Sequence, residues 1–279
     1  MNAAVLSHFS SLGIIALCLF VPPLIGGLVA GASRMFDAKK QEMDAPSLLQ
    51  QFQDFYALWR NEAADVPRHS IGYVFLSLVF YLMALVLLGL QKNLPPILFL
   101  QAFGVLALIM GGMARPAPYF GLSVNHGLKA FLTQQPILLL VAVGIFFATG
   151  SFNFSAIKEY PRLLVIDLPL LCAALLIVEY ANRSALNAEA SHDPSFAFLK
   201  LANCYRAGTL LLLAGFFFAH SLAGAALAAI VLHVLLVLIS RAAAYEPWRM
   251  KMQKLQWEWG YVYFGCGLNL IWIYIKYWP

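Results

Sequence analysis

The run IGYVFLSLVFYLMALVLLGL at residues 71–90 and the run LPPILFLQAFGVLALIMGGM at residues 94–113 decide the fold class of this protein. Each run contains 20 residues and no charged side chain, and only QKN separates the two. A helix of about twenty apolar residues is long enough to cross the hydrocarbon core of a bilayer. Neither run alternates apolar and polar residues as a half-buried strand would, so the pair predicts two transmembrane helices joined by a tight turn.

The composition of the whole chain agrees with this interpretation. The 279 residues are 62% hydrophobic and only 11% charged, and the mean hydropathy is +0.77. A soluble domain has about 25% charged residues and about 45–50% apolar residues. The composition therefore excludes a water-soluble fold. In lipid every backbone polar group must be bonded internally, which leaves helices or a closed barrel, and long apolar runs favour helices.

Similar apolar runs recur along the chain and predict an all-α, polytopic membrane protein with about eight transmembrane helices in one domain, residues 1–279. The predicted spans are 8–32, 70–90, 94–113, 131–149, 163–181, 205–219, 222–240 and 257–275. The first run is not preceded by the positively charged region of a signal peptide, so we expect no cleaved leader.

The basic residues fall unevenly between the two sets of connecting segments. Fourteen of the 18 lie in the stretches 33–69, 114–130, 182–206 and 241–256, and only four lie on the other side. Basic loops stay on the cytoplasmic side of membrane proteins. The pattern therefore predicts a cytoplasmic (inner) membrane protein with both termini on the outer side. It also accounts for the net charge of +5 without any nucleic acid partner.

An amphipathic helix is predicted on the cytoplasmic side over residues 46–62, between the first and second spans. Its apolar residues at positions 48, 49, 52, 55, 56 and 59 recur at helical spacing, with Gln and Asp residues between them. Pro46 stands at an early position, where its missing N–H costs nothing. Such a helix could lie in the plane of the lipid headgroups, or it could form part of the surface on which a partner subunit docks.

The segments PPLIGGLVAGASRMFDAKKQ (22–41) and APSLLQQFQDFYALWRNE (45–62) resemble a known family. They are similar to the first helix and first cytoplasmic loop of the complex I subunit that joins the membrane and peripheral arms. The closer likeness is to the short counterpart of that subunit in membrane-bound energy-converting NiFe-hydrogenases and formate hydrogenlyases.

Three later segments continue the resemblance in the same order. They are PYFGLSVNHGLKAFLTQQPILLL (118–140), LLIVEYANRSALNAEASHD (175–193) and LNLIWIYI (268–275). The family usually has a Glu where this chain has Gln135, and an Asp where it has Asn187. Because amides do not carry protons as acids do, the usual proton route of the family through these two positions is in question here.

The resemblance implies a non-catalytic subunit that has no cofactor of its own. The NiFe centre and iron–sulfur clusters would lie in hydrogenase-like large and small subunits on the cytoplasmic side, and antiporter-like subunits would be neighbours in the lipid bilayer. Redox chemistry in that hydrophilic arm would be coupled to proton or sodium translocation. The residues expected to dock the arm are Arg34, Lys39, Lys40, Gln41, Tyr56, Trp59, Arg115, Arg183 and His192.

Three ionisable residues inside predicted spans are candidates for ion coupling, because a charge at the bilayer centre costs at least about 2.5–3.5 kcal/mol. Asp167 and Glu179 are about 18 Å apart along a helix and could mark the two ends of a relay. Alternatively both lie near the headgroups, with Glu179 paired to Arg183 at i+4. His233 could pass protons near neutral pH or could hydrogen-bond a neighbouring helix.

Other functions remain as alternatives: a quinone-linked complex I subunit, a stand-alone membrane transporter or a purely structural membrane anchor. The chain has no P-loop, GxSxG or HExxH motif, so nothing indicates self-contained phosphate, acyl-transfer or metalloprotease chemistry. Cys18, Cys172, Cys204 and Cys266 form no CxxC pair and are interpreted as packing residues.

Overall fold

The computed structural model describes residues 3–40, 53, 56–57, 68–114, 118–186, 194–242 and 248–277. Within these ranges the chain is helical and contains no strand, which confirms the predicted fold class for this part of the protein. We number the helices in chain order. They are α1 (Ala3–Lys40), α2 (Arg68–Gly89), α3 (Leu94–Met113), α4 (Pro118–Thr149), α5 (Phe154–Glu159), α6 (Leu164–Asp167), α7 (Pro169–Leu186), α8 (Pro194–Gly215), α9 (Leu222–Ala242) and α10 (Trp248–Tyr277).

Several described helices are long and apolar enough to cross a membrane, as a multi-pass membrane protein requires. Five segments meet this description: Ser11–Val29, His69–Gly89, Leu94–Met113, Phe131–Thr149 and Leu222–Ile239. Each of them falls on one of the eight predicted spans. A shorter apolar helix, Pro169–Asn182, falls on a sixth. The full count of eight spans stays a prediction.

Helix α8 extends well beyond the apolar run from which it was predicted. It begins at Pro194, whereas the predicted span begins at residue 205. Arg206, counted from the sequence in the cytoplasmic stretch 182–206, therefore lies inside helix α8 rather than in an irregular connection, and its cytoplasmic side stays a prediction. A hydropathy window ends where charged residues begin, but a helix packed inside a bundle can carry such residues when neighbouring helices provide their partners.

The predicted fifth span, 163–181, is not one continuous helix. It is divided at Leu168 into the single turn of α6 and the longer α7, which begins with Pro169. Leu168 has φ −125° and ψ 47°, outside the helical region. Proline disfavours helical geometry in the residue before it, and proline itself suits the first position of a helix. The sequence Asp167-Leu168-Pro169 thus explains the break.

Helices α7 and α8 form the centre of the bundle. Helix α8 packs against α1, α2, α7 and α9, and helix α7 packs against α4, α8, α9 and α10.

Helix α3 packs very closely against α2 because Gly104 of α3 has no side chain. A Cβ atom at Gly104 would lie 2.4 Å from Cε1 of Tyr81, so only glycine leaves room for that ring.

The connections on the predicted outer side hydrogen-bond to one another. The backbone N–H of Leu94 donates to the carbonyl of Phe152 at 3.0 Å, and that of Val165 donates to the carbonyl of Phe217 at 3.0 Å. The first bond ties the start of α3 to the connection that follows α4, and the second ties the short helix α6 to the connection that follows α8.

Candidate functional sites in the helix bundle

Two polar clusters lie within the otherwise apolar bundle. The Asp167 cluster consists of Tyr160, Asp167, Asn269, Lys276 and Tyr277. The Arg206 cluster consists of Tyr81, Gln101, Gln134, Asn182 and Arg206. Buried polar groups in lipid need hydrogen-bond partners, and these clusters contain most of the buried polar side chains found in the described residues.

Asp167 accepts hydrogen bonds at both carboxylate oxygens. Its Oδ1 lies 2.6 Å from Nζ of Lys276, and its Oδ2 accepts from the hydroxyl of Tyr160 at 2.5 Å and from that of Tyr277 at 3.3 Å. The side chain of Asp167 is only 2% exposed, whereas that of Lys276 is 32% exposed. Three donors around one carboxylate stabilise its ionised form.

Asn269 of α10 bridges the break between α6 and α7. Its Nδ2 donates to the backbone carbonyl of Asp167 at 2.9 Å. Its Oδ1 accepts from the backbone N–H groups of Leu170 at 3.0 Å and Leu171 at 3.3 Å. The first N–H groups of a helix have no partner within the helix, so Asn269 supplies an acceptor from another part of the chain.

The donors at the outer edge of the Asp167 cluster hold their protons firmly. Burial raises the pKa of the Tyr160 hydroxyl above its ordinary value, and the hydrogen bonds to Asp167 and Tyr277 raise it further. The hydrogen bond to Asp167 raises the pKa of the Lys276 ammonium. Both groups are therefore protonated at neutral pH and donate to the carboxylate.

Arg206 joins four helices at the centre of the bundle. Its Nη2 donates to Oε1 of Gln134 on α4 at 2.9 Å and to Oδ1 of Asn182 on α7 at 2.8 Å. Its Cζ lies 6.0 Å from the ring centroid of Tyr81 on α2. Tyr81 is the thirteenth of the 21 residues in the apolar segment His69–Gly89, whereas Gln134 is the fourth residue of Phe131–Thr149 and Asn182 is the last of Pro169–Asn182. The half-buried Arg206 thus contacts the middle of one apolar segment and one end of two others.

The three predicted coupling residues all lie in described helices. Glu179 is on α7, 2% exposed and three residues before Asn182, which places it one helical turn from the Arg206 cluster. Asp167 ends α6 and is 2% exposed. His233 is on α9 and half-buried. The structure thus places Glu179 and Asp167 beside different clusters.

Most of the predicted docking residues fall where the structure gives no side-chain description. Arg34, Lys39 and Lys40 lie in α1 and Arg183 in α7, but only their backbone is described. Gln41, Trp59, Arg115 and His192 lie outside the described residues, as does Asn187, the amide at a position where the family usually has an Asp. So does most of the predicted amphipathic helix 46–62, in which Tyr56 is helical and 66% exposed.

The sequence analysis did not identify the polar partners of the two clusters. Arg206 and Lys276 were counted only as loop charges. Asn269 and Gln134 carry a signal that could have found them, because each is a polar residue next to or within an apolar run that a membrane helix must bury. Among the described residues, no group of three or more His, Cys, Asp or Glu side chains could hold a metal ion.

Comparison with known proteins identifies the fold. No family model and no curated protein match the sequence. Among solved structures, the chain is similar to a chain in the structure of the membrane-bound sulfane sulfur reductase (MBS), an archaeal respiratory membrane complex. The TM-score is 0.75 at 16% sequence identity, and the match covers 95% of this chain and 99% of that chain. The protein therefore shares its fold, over almost its whole length, with a chain of a respiratory membrane complex.

Proposed function

We propose that this protein is the arm-joining membrane subunit of a multisubunit, energy-converting hydrogenase-type complex. It would anchor a hydrophilic arm that carries a NiFe centre and iron–sulfur clusters, and it would couple the redox reaction there to proton or sodium translocation. The observation that carries the proposal is the fold shared with a chain of the MBS respiratory complex over 95% of this sequence.

The buried ionisable residues support a coupling role. Glu179 is 2% exposed within an apolar bundle, where an acid is costly unless it has a function or a partner. Asp167 lies twelve residues earlier and belongs to a separate polar cluster at the break between α6 and α7. In this proposal Glu179 exchanges protons toward the arm, and Asp167 exchanges them toward the outer side.

The Asp167 cluster would then control the outer step. The ammonium of Lys276 lies 2.6 Å from the Asp167 carboxylate and competes with any proton or sodium ion for the same oxygen. An ion can reach that oxygen only when the Lys276 side chain moves away. Because Lys276 is 32% exposed, it can do so without repacking the bundle.

A second candidate is a sulfur-reducing arm in place of a hydrogenase arm. The observation in its favour is that the similar structure is a sulfane sulfur reductase. Both candidates give this chain the same anchoring role, and they differ in the metal content and the substrate of the partner subunits.

The proposal is tested by affinity purification of the tagged full-length chain in mild detergent, followed by mass spectrometry and metal analysis. Nickel, iron and a hydrogenase-like large subunit in the eluate would support the hydrogenase-type complex. Iron and a similar large subunit without nickel, together with sulfur-reducing activity, would favour the second candidate. A metal-free chain without stable partners would overturn both and favour a stand-alone transporter, and bound quinone would favour the complex I alternative.

A further inference from the structure

Four buried side-chain atoms among the described residues have no hydrogen-bond partner. They are Oη of Tyr81, Nε2 of Gln91, Nε2 of Gln101 and Nδ2 of Asn182. A buried polar atom without a partner costs about 1–3 kcal/mol, so each one needs an explanation. Gln91 lies in the turn between α2 and α3, whereas the other three belong to the Arg206 cluster.

Contacts with Arg206 place Asn182 and Tyr81 in the cluster, and its position on α3 places Gln101 beside them. Asn182 presents its Oδ1 to Arg206 at 2.8 Å, which turns its Nδ2 away as a free donor. The Tyr81 ring lies 6.0 Å from the guanidinium and packs on Gly104, where a Cβ would be 2.7 Å from its Cζ. Gln101 lies three residues before Gly104 on α3 and therefore on the same face as that contact.

The charge of Arg206 is not neutralised by its described hydrogen-bond partners. Both acceptors, on Gln134 and Asn182, are neutral amide oxygens, and both contact the same nitrogen, Nη2. A guanidinium has five N–H donors and no acceptor. The cluster therefore combines the positive charge of the half-buried Arg206 with further donors on Asn182 and Gln101.

We propose that the Arg206 cluster is a binding site for a small inorganic anion, of which a halide is the simplest example. An anion supplies the missing negative charge and accepts from several donors at once. A water molecule can accept from the same donors but leaves the charge of Arg206 unbalanced by its neutral partners, so the test below distinguishes water from an anion. The proposal does not rest on the function proposed above.

Glu179 is the rival source of negative charge, since it lies one turn before Asn182 on α7. If its carboxylate alone balances Arg206, the cluster has no affinity for an added anion. The test below therefore separates an anion site from an internal ion pair.

The test uses the full chain, or its complex, purified in chloride-free sodium gluconate and titrated with sodium bromide at constant ionic strength. Bromide is expected to raise the thermal unfolding midpoint in a saturable way, because a ligand that binds only the folded state stabilises it. Tyr81→Phe keeps the ring, removes one donor and should weaken the apparent bromide affinity by about tenfold. Arg206→Gln should abolish the bromide effect.

Gln91→Leu is the matched control, because it removes the one unpaired donor outside the cluster and should leave the bromide effect unchanged. Bromide anomalous diffraction from crystals provides a direct readout that does not depend on variants that fold. A peak within hydrogen-bond distance of Asn182 Nδ2 supports the site. Water at that position, no bromide effect in the unmodified chain, or an equal effect in Arg206→Gln would overturn it.

Discussion

Lys276 Nζ lies 2.6 Å from Asp167 Oδ1, and this ion pair ties the end of the last helix to the break between α6 and α7. The two residues are 109 positions apart in sequence, so the pair closes a long loop of chain. One partner is buried and the other is partly exposed. The pair thus stabilises the bundle and remains accessible to solvent ions from the side of the lysine.

The first prediction concerns this ion pair. Lys276→Met should lower the thermal unfolding midpoint more than Asp167→Asn does, because it leaves a buried carboxylate without its cation. The amide made by Asp167→Asn can still accept a hydrogen bond from Tyr160. Thermal unfolding in detergent, followed by tryptophan fluorescence, measures both effects.

A double-mutant cycle provides the control for the pair. The double variant should lose less stability than the sum of the two single losses. Either single substitution already breaks the ion pair, so the second substitution has no ion pair left to break. Lys158→Met, at an exposed lysine in α5, should have little effect. Additive losses for Asp167 and Lys276 would contradict the assigned pairing.

The second prediction concerns Asn269. Asn269→Leu keeps a side chain of similar size but removes one donor to Asp167 and one acceptor for Leu170 and Leu171. We expect a loss of about 1–3 kcal/mol in unfolding free energy, because buried backbone groups lose their partner. Hydrogen exchange at Leu170 and Leu171 should become faster in the folded protein.

Asn203→Leu is the matched comparison for Asn269, since Asn203 bonds only the Leu199 carbonyl of its own helix. The Asn203→Leu substitution should not change the hydrogen-exchange rates at the start of α7. Equal exchange rates at Leu170 and Leu171 in the Asn269 variant and the unmodified chain would show that Asn269 does not cap this helix.

The third prediction concerns the contact between α2 and α3. Gly104→Ala should destabilise the fold by about 1–3 kcal/mol, because the new Cβ would lie 2.4 Å from a ring atom of the fully buried Tyr81. Gly72→Ala adds the same methyl group on α2, where nothing lies within 4 Å. Because alanine favours a helix over glycine, that variant should be neutral or slightly more stable. Equal destabilisation of the two variants in denaturation experiments would contradict the described packing.

Much of the architecture follows from the sequence because lipid imposes a simple rule. Every apolar run of about twenty residues must become a helix, so segments such as 71–90 and 94–113 were predictable almost to the residue. The break at Leu168 was less visible, since a single Pro169 inside an apolar run often leaves a membrane helix continuous. The broken form is stabilised by contacts from distant parts of the chain, such as the acceptor on Asn269, 99 residues from Leu170.

The polar clusters were predictable only in part. Glu179 and Asp167 attract notice because an acid within an apolar run is costly. Arg206 does not, because it stands at the boundary of its run, where a basic residue is usual at the cytoplasmic interface. Its position inside the bundle depends on Gln134 and Asn182, and no local pattern in the sequence links those three residues.

The last prediction concerns ion coupling by Glu179. In the purified complex reconstituted into vesicles, Glu179→Gln should keep the redox activity and lose about a hundredfold of the coupled ion transport, the scale typical of a lost proton-transfer group. The amide preserves the size and shape of the side chain, so assembly should be retained. Glu159→Gln changes the same acid at an exposed position of α5 and should transport ions normally. If the Glu179 variant transports ions at the unmodified rate, Glu179 is not part of the ion pathway. The protein would then keep its proposed anchoring role, and the proposed coupling role of Glu179 would be wrong.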